Sequence, residues 1–131
     1  MTEAIKSGLE IEDKQLVSDE RVASHVGSGS LQVYATPAMV TFVEHTCRKL
    51  VEAHLPEGQT TVGTMIRVEH LAPTPLGSEV HIRAQVVGVE GRSVHFAAEL
   101  WDAVEIIGRA EHTRVIIDTA RFLDRVSRKS P

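Results

Sequence analysis

No stretch of this chain approaches the ~20 consecutive apolar residues of a membrane-spanning helix. The opening segment, MTEAIKSGLEIEDKQ, carries acids and has no apolar core of the kind a secretory leader needs. Cysteine is nearly absent: Cys47 stands alone, so no intrachain disulfide can form, and a reducing compartment fits. By elimination a cytoplasmic location is expected. Excess positive charge is also missing. The formal net charge is −4, which gives no bulk electrostatic case for nucleic acid or a membrane surface. The seven histidines form no HExxH or HxH pattern and there is no CxxC, so no metal site is expected. No resident cofactor is expected either. VGSGS at 26–30 is neither a GxSxG nucleophile elbow nor a GxGxxG phosphate loop, and reads as a flexible connection. No repeat, low-complexity run or Pro/Gly-rich linker divides the 131 residues. One domain is therefore expected, with residues 1–7 and 127–131 as flexible ends.

What is present is one long helical signal followed by strands. Thr36 is a good N-cap and Pro37 suits the first helical position. Met39, Val40, Val43, Cys47, Leu50 and Val51 recur on one stripe, while Thr41, His45, Arg48, Lys49 and Glu52 fall opposite. Pro56 predicts an end near Leu55. A weak strand is predicted within 8–18, and a loop over 19–35. Beyond the helix the pattern has period two. Val62, Thr64, Ile66, Val68 and His70 are predicted to share one face. Val80, Ile82, Ala84 and Val86 form a second set, and Val94, Phe96, Ala98 and Leu100 a third. The last strand, 105–118, breaks its alternation around Ile106, Ile107 and Gly108, which predicts a bulge. The fold class is α+β: an antiparallel sheet wrapped on one long helix. Such a sheet leaves edges that a second copy can pair with, so a homodimer is expected.

Three side chains carry chemistry. Thr36 stands where free N–H groups and the helix dipole favour an anion, such as the oxyanion of acyl transfer; a plain cap explains the same residue. Glu44 borders the apolar stripe. There it serves as base or nucleophile when ionised and as acid when neutral, or else its head simply reaches solvent. His70 ends a strand. It can shuttle protons, or it is a satisfied structural histidine. Cys47 reads as a small core residue. Arg114, near His112 in the last strand, reads as solvent-facing or acid-paired. The tail RFLDRVSRKS, with Arg121, Arg125, Arg128 and Lys129, reads as a solvated end; contact with the phosphates of coenzyme A is the alternative.

The blocks ATPAMVTFVEHTC (35–47), VGTMIRVEHLAPTP (62–75) and GRAEHTRVII (108–117) resemble the fluoroacetyl-CoA thioesterase family over residues 8–126. The resemblance implies a hot-dog fold, a dimer and hydrolysis of short acyl-CoA thioesters. It places the family's catalytic threonine, glutamate and histidine on Thr36, Glu44 and His70. It also makes Gly63 and Arg114 site-lining residues. Tyr34 keeps an aromatic two positions before Thr36 and is expected to contact substrate. The family enzyme's aromatic lid residue falls on Ser30, so the resemblance supports a thioesterase more strongly than a fluorinated substrate. Two routes fit these residues: attack by Thr36 through an acyl-enzyme, or attack by Glu44 or a water it activates, with Thr36 positioning the thioester. The competing expectations are a non-catalytic acyl-CoA binder or sensor, a hot-dog hydratase or dehydratase, and a purely structural dimer. The Asp–His pair that a hydratase needs is not found in the sequence.

Overall fold

The computed structural model describes residues 5–130. Its elements are β1 (Glu10–Leu16), a 3-10 turn (Asp19–Arg21), α1 (Ala23–Val26), α2 (Thr36–Glu52), β2 (Gln59–His70), β3 (Glu79–Glu90), β4 (Ser93–Trp101), β5 (Ile106–Asp118) and α3 (Thr119–Ser127). The strands form one antiparallel sheet in the order β1-β3-β4-β5-β2. The sheet wraps α2, as the periodicity predicted. Met39, Val43, Cys47, Leu50 and Val51 are buried against Val80, Ile82, Ala84, Val86, Val94, Phe96 and Leu100. Area removed from water by this contact is the main stabilising term. Phe42 and Thr46 widen the predicted stripe; the buried Thr46 hydroxyl donates to the Phe42 carbonyl at 2.7 Å. No helix among the described residues is long and apolar enough to cross a membrane.

Several boundaries differ from the expectation. Ala35, not Thr36, is the extended N-cap (φ −78, ψ 141), and Thr36 is already helical. The Pro37 ring lacks an N–H, so Thr36 can take the first position without losing a bond the helix needs. Its hydroxyl caps nothing and is free for another partner. The helix closes at Glu52, three residues early, because His54 and Leu55 donate to Val51 and Glu52 in tight turns.

The strand faces also needed correction at β2. Gly63 pairs with Arg114 but Met65 pairs with Thr113, so Thr64 is an extra residue on the strand. The bulge moves the phase by one. Thr61 and Gly63 therefore face the helix together with Ile66, Val68 and His70, whereas Val62 and Thr64 leave the predicted set. The bulge predicted near Ile107 is present: Leu100 pairs with Gly108 and Trp101 with Ile106. Residues 1–4 and 131 lie outside the described residues, but Ile5 is buried. Residues 119–127 form α3, capped by the Asp118 carboxylate, which accepts from the Arg121 N–H.

Candidate active site

Two clusters of functional side chains lie on the helix-facing side of β2, one toward each end. The first holds Thr36 and His70. The helix start places Thr36 and the last residue of β2 places His70, and Thr36 Oγ1 lies 2.8 Å from His70 Nδ1. Either group can donate in this pair; with the hydroxyl donating, the ring nitrogen is poised to take its proton. Burial lowers the His70 pKa below its usual 6.5, so the imidazole is neutral at pH 7. Its Nε2 is buried and has no partner among the described residues. Tyr34 stands behind it, ring to ring at 6.3 Å and 70°. Tyr34 is 1% exposed and its hydroxyl donates to Gln15 Oε1 at 2.5 Å. It therefore backs His70 within the chain, with its polar end already engaged.

The second cluster holds Glu44, Gly63, His112 and Arg114. A Cβ at Gly63 would stand 3.1 Å from Glu44 Oε2, 3.2 Å from His112 Cε1 and 3.4 Å from Arg114 Nη1. Glycine is what leaves this niche open. Arg114 is 6% exposed, against the sequence reading of a solvent-facing or acid-paired arginine. Its Nε donates to Thr61 Oγ1 at 2.7 Å, its Nη2 to the Thr61 carbonyl at 3.0 Å and its Nη1 to His112 Nε2 at 3.2 Å. No carboxylate lies within ion-pair distance of it among the described residues. Cys47, one turn after Glu44, has its thiol pKa pushed up to about 12 by burial, which keeps it protonated and inert. Among the described residues no group of histidine, cysteine and acidic side chains is arranged to hold a metal ion.

The predicted residues are thus brought together in two sets rather than one. Glu44 is eight residues beyond Thr36, about 12 Å along the helix axis. Gly63 and His70 are separated by most of β2, on the order of 20 Å. Within one chain the threonine–histidine pair and the glutamate do not meet. Thr61 and His112 were not singled out from the sequence. The alternation of β5, which sets 110, 112, 114 and 116 on one face, was the signal that would have found His112 beside Arg114.

The chain matches the fluoroacetyl-CoA-specific thioesterase family over residues 17–120. It is 35% identical over 100 residues to the fluoroacetyl-CoA thioesterase of Streptantibioticus cattleyicolor, which covers 76% of this chain and 72% of that one. A solved structure of a phenylalanine-to-alanine variant of the fluoroacetyl-CoA-specific thioesterase, in complex with fluoroacetate and CoA, superposes with a TM-score of 0.85 at 28% identity, over 90% of this chain and 99% of the other. A hot-dog-like protein from Thermanaerovibrio acidaminovorans matches in fold with a TM-score of 0.92 at 23% identity, over 99% and 96% of the two chains. Sheet, helix and these likenesses define an acyl-CoA thioesterase of the hot-dog fold. Within that class, the chain belongs to the fluoroacetyl-CoA-specific thioesterase family.

Proposed function

We propose that the chain hydrolyses a short-chain acyl-CoA thioester to the free acid and CoA, with Thr36, Glu44 and His70 as its catalytic groups. The observation that carries this reading is the 2.8 Å contact between Thr36 Oγ1 and His70 Nδ1 at the start of a long helix. Water adds across the thioester carbonyl, the C–S bond breaks, and the thiolate of CoA takes up a proton. His70 moves that proton. Either Thr36 attacks first and water releases the acyl-enzyme, or Glu44 activates water directly while Thr36 orients the carbonyl. N–H groups at the helix start, or that of Gly63, stabilise the oxyanion; one such donor contributes about 3 kcal/mol.

Glu44 joins the pair through a second copy of the chain. β2 is an edge strand with β5 as its sheet neighbour on one side. Antiparallel pairing of β2 with its counterpart, centred near Ile66 and Arg67, would set His70 of one protomer against the Gly63 niche of its partner. The buried Nε2 of His70, without a hydrogen-bond partner among the described residues, then has a carboxylate to meet. Mixing two inactive variants tests this. Thr36→Ala and Glu44→Gln chains, unfolded and refolded together, are expected to regain about a quarter of wild-type activity, because half the dimers carry one intact composite site. No recovery would mean that each site is built within one chain.

Substitution tests the residues themselves. Thr36→Ala, Glu44→Gln and His70→Ala are each expected to lower kcat/KM by about 10² or more in folded protein. Near-wild-type turnover in all three would remove the assignment. Thiol release from acetyl-, fluoroacetyl-, short branched, aromatic and longer acyl-CoAs fixes the acyl group. Ser30, where the family enzyme has an aromatic lid residue, favours a substrate selected without fluorine. Binding of every acyl-CoA without turnover would point instead to a sensor.

A further inference from the structure

We propose that His112 is a positioning residue: it fixes Arg114 through a neutral acceptor, so that the guanidinium faces the Gly63 niche, and Glu44 across it, with no carboxylate bonded to it. This rests on the reading that the Glu44–Gly63–Arg114 wall is half of the hydrolytic site.

Hydrogen-bond roles determine the state of the ring. His112 Nδ1 lies 2.7 Å from the Met65 carbonyl, which can only accept, so Nδ1 carries the proton. His112 Nε2 lies 3.2 Å from Arg114 Nη1, which can only donate, so Nε2 bears the lone pair. Both contacts hold at once only in the neutral Nδ1–H tautomer. Phe96 packs on the ring, with centroids 6.0 Å apart and planes at 29°, and the residue is 2% exposed. Burial and the neighbouring Arg114 charge both lower its pKa, which keeps it neutral.

The consequence falls on Arg114. Its three hydrogen bonds go to a hydroxyl, a carbonyl and an imidazole nitrogen, all uncharged. A buried guanidinium usually has a carboxylate partner that cancels its field. Here the orientation is fixed by neutral partners, and the one carboxylate acting on the guanidinium most strongly, Glu44, faces it across the niche without a direct bond. Nη1 stands 3.4 Å from the point a Gly63 Cβ would occupy, and Glu44 Oε2 stands 3.1 Å from the same point. A cation set there in advance stabilises negative charge that appears in the niche during reaction, with no reorganisation at that moment. Glutamate at 112 would hold Arg114 equally well but neutralise it.

Paired variants separate orientation from charge. His112→Gln and His112→Glu both offer an oxygen to Arg114; glutamine keeps an N–H donor for the Met65 carbonyl, whereas glutamate has none and adds a negative charge. His112→Gln is expected to keep kcat within a few-fold of wild type on acyl-CoA, and His112→Glu to lose about ten-fold or more in kcat with little change in KM and no lower melting temperature. Equal kcat in the two, or activity that merely follows melting temperature, would overturn the proposal. Should both variants fail to fold, nitrogen-15 NMR of histidine-labelled wild-type protein decides. The neutral Nδ1–H form of His112 at pH 7 supports the assignment, and an Nε2–H or doubly protonated ring refutes it. Glu44→Gln and Arg114→Lys separate the two levels of inference. If both keep wild-type turnover, the site itself is wrong. If both lose turnover while His112→Glu does not, only the role of His112 is wrong.

Discussion

At the scale of single residues, two glycines are held in place by what lies opposite them. A methyl group at Gly63 meets Glu44, His112 and Arg114 at 3.1–3.4 Å, so Gly63→Ala should displace the glutamate and the guanidinium by a few tenths of an ångström. A fall in kcat of ten-fold or more is expected, with a melting temperature near wild type; unchanged kcat would show that the niche does not need that clearance. Gly108, paired with His70, meets Met39 Sδ at 2.7 Å and the Glu69 carbonyl at 3.2 Å. The thioether can swing aside but the carbonyl cannot. Gly108→Ala should destabilise by about 1–3 kcal/mol, read from urea midpoints. Protonation adds a pH dependence. His70 and His112 both have folded pKa values lowered by burial, so the unfolded chain binds protons more readily than the folded one. Their contribution to stability is fully present above pH 6.5 and is lost as the pH falls toward their folded values. Melting temperature should decline from pH 7 to 5, and the decline should be shallower in His112→Gln. An equal slope in wild type and variant would show that His112 is not buried neutral.

At the scale of elements, the Thr64 bulge decides which β2 side chains face the helix. Without it, Gly63 and His70 would fall on opposite faces of the strand. Deleting Thr64 removes the extra residue and leaves Thr61, Gly63, Ile66, Val68 and His70 in phase, so a folded protein is expected. Inserting one alanine after Thr64 turns Ile66, Val68 and His70 outward and should abolish folding. Circular dichroism and size-exclusion profiles check both, and a well-folded insertion variant would contradict the register. The helix and the inward sets of β3 and β4 were legible in the sequence because apolar periodicity records burial directly. Thr64 was not legible, since a bulge is one residue set against a partner strand and leaves no mark on its own strand's pattern. The third helix was missed for another reason. Its cap, Asp118, and its apolar residues Phe122, Leu123 and Val126 sit in a segment rich in charge, and it buries no residue. By composition those charges read as a solvated end.

At the scale of the molecule, the fold distributes its chemistry along one edge strand. The outer face of the sheet is polar, with ion pairs such as Arg67–Glu111 at 3.4 Å and Arg109–Glu99 at 3.6 Å, exposed and individually worth little. The inner face carries the threonine–histidine pair at one end of β2 and the glutamate–arginine wall at the other. A two-fold axis through the middle of β2 would turn these into two equal sites. Under that arrangement activity should vanish on dilution below the dimer dissociation constant and return with concentration, measured as specific activity alongside mass. Specific activity that stays flat while the mass falls to one chain would contradict it.

The sequence alone determined that one apolar-striped helix must be covered by a sheet, because both periodicities demand a common core. It also determined which residue types were present for acyl transfer. Tertiary structure decided who meets whom. It took the Thr36 hydroxyl from its expected cap to His70, since Ala35 supplies the cap position. It buried Arg114 beside a neutral His112 instead of an acid. Helix geometry alone keeps Glu44 about 12 Å from Thr36; tertiary structure decided that His70 joins Thr36 and that Gly63 and Arg114 join Glu44.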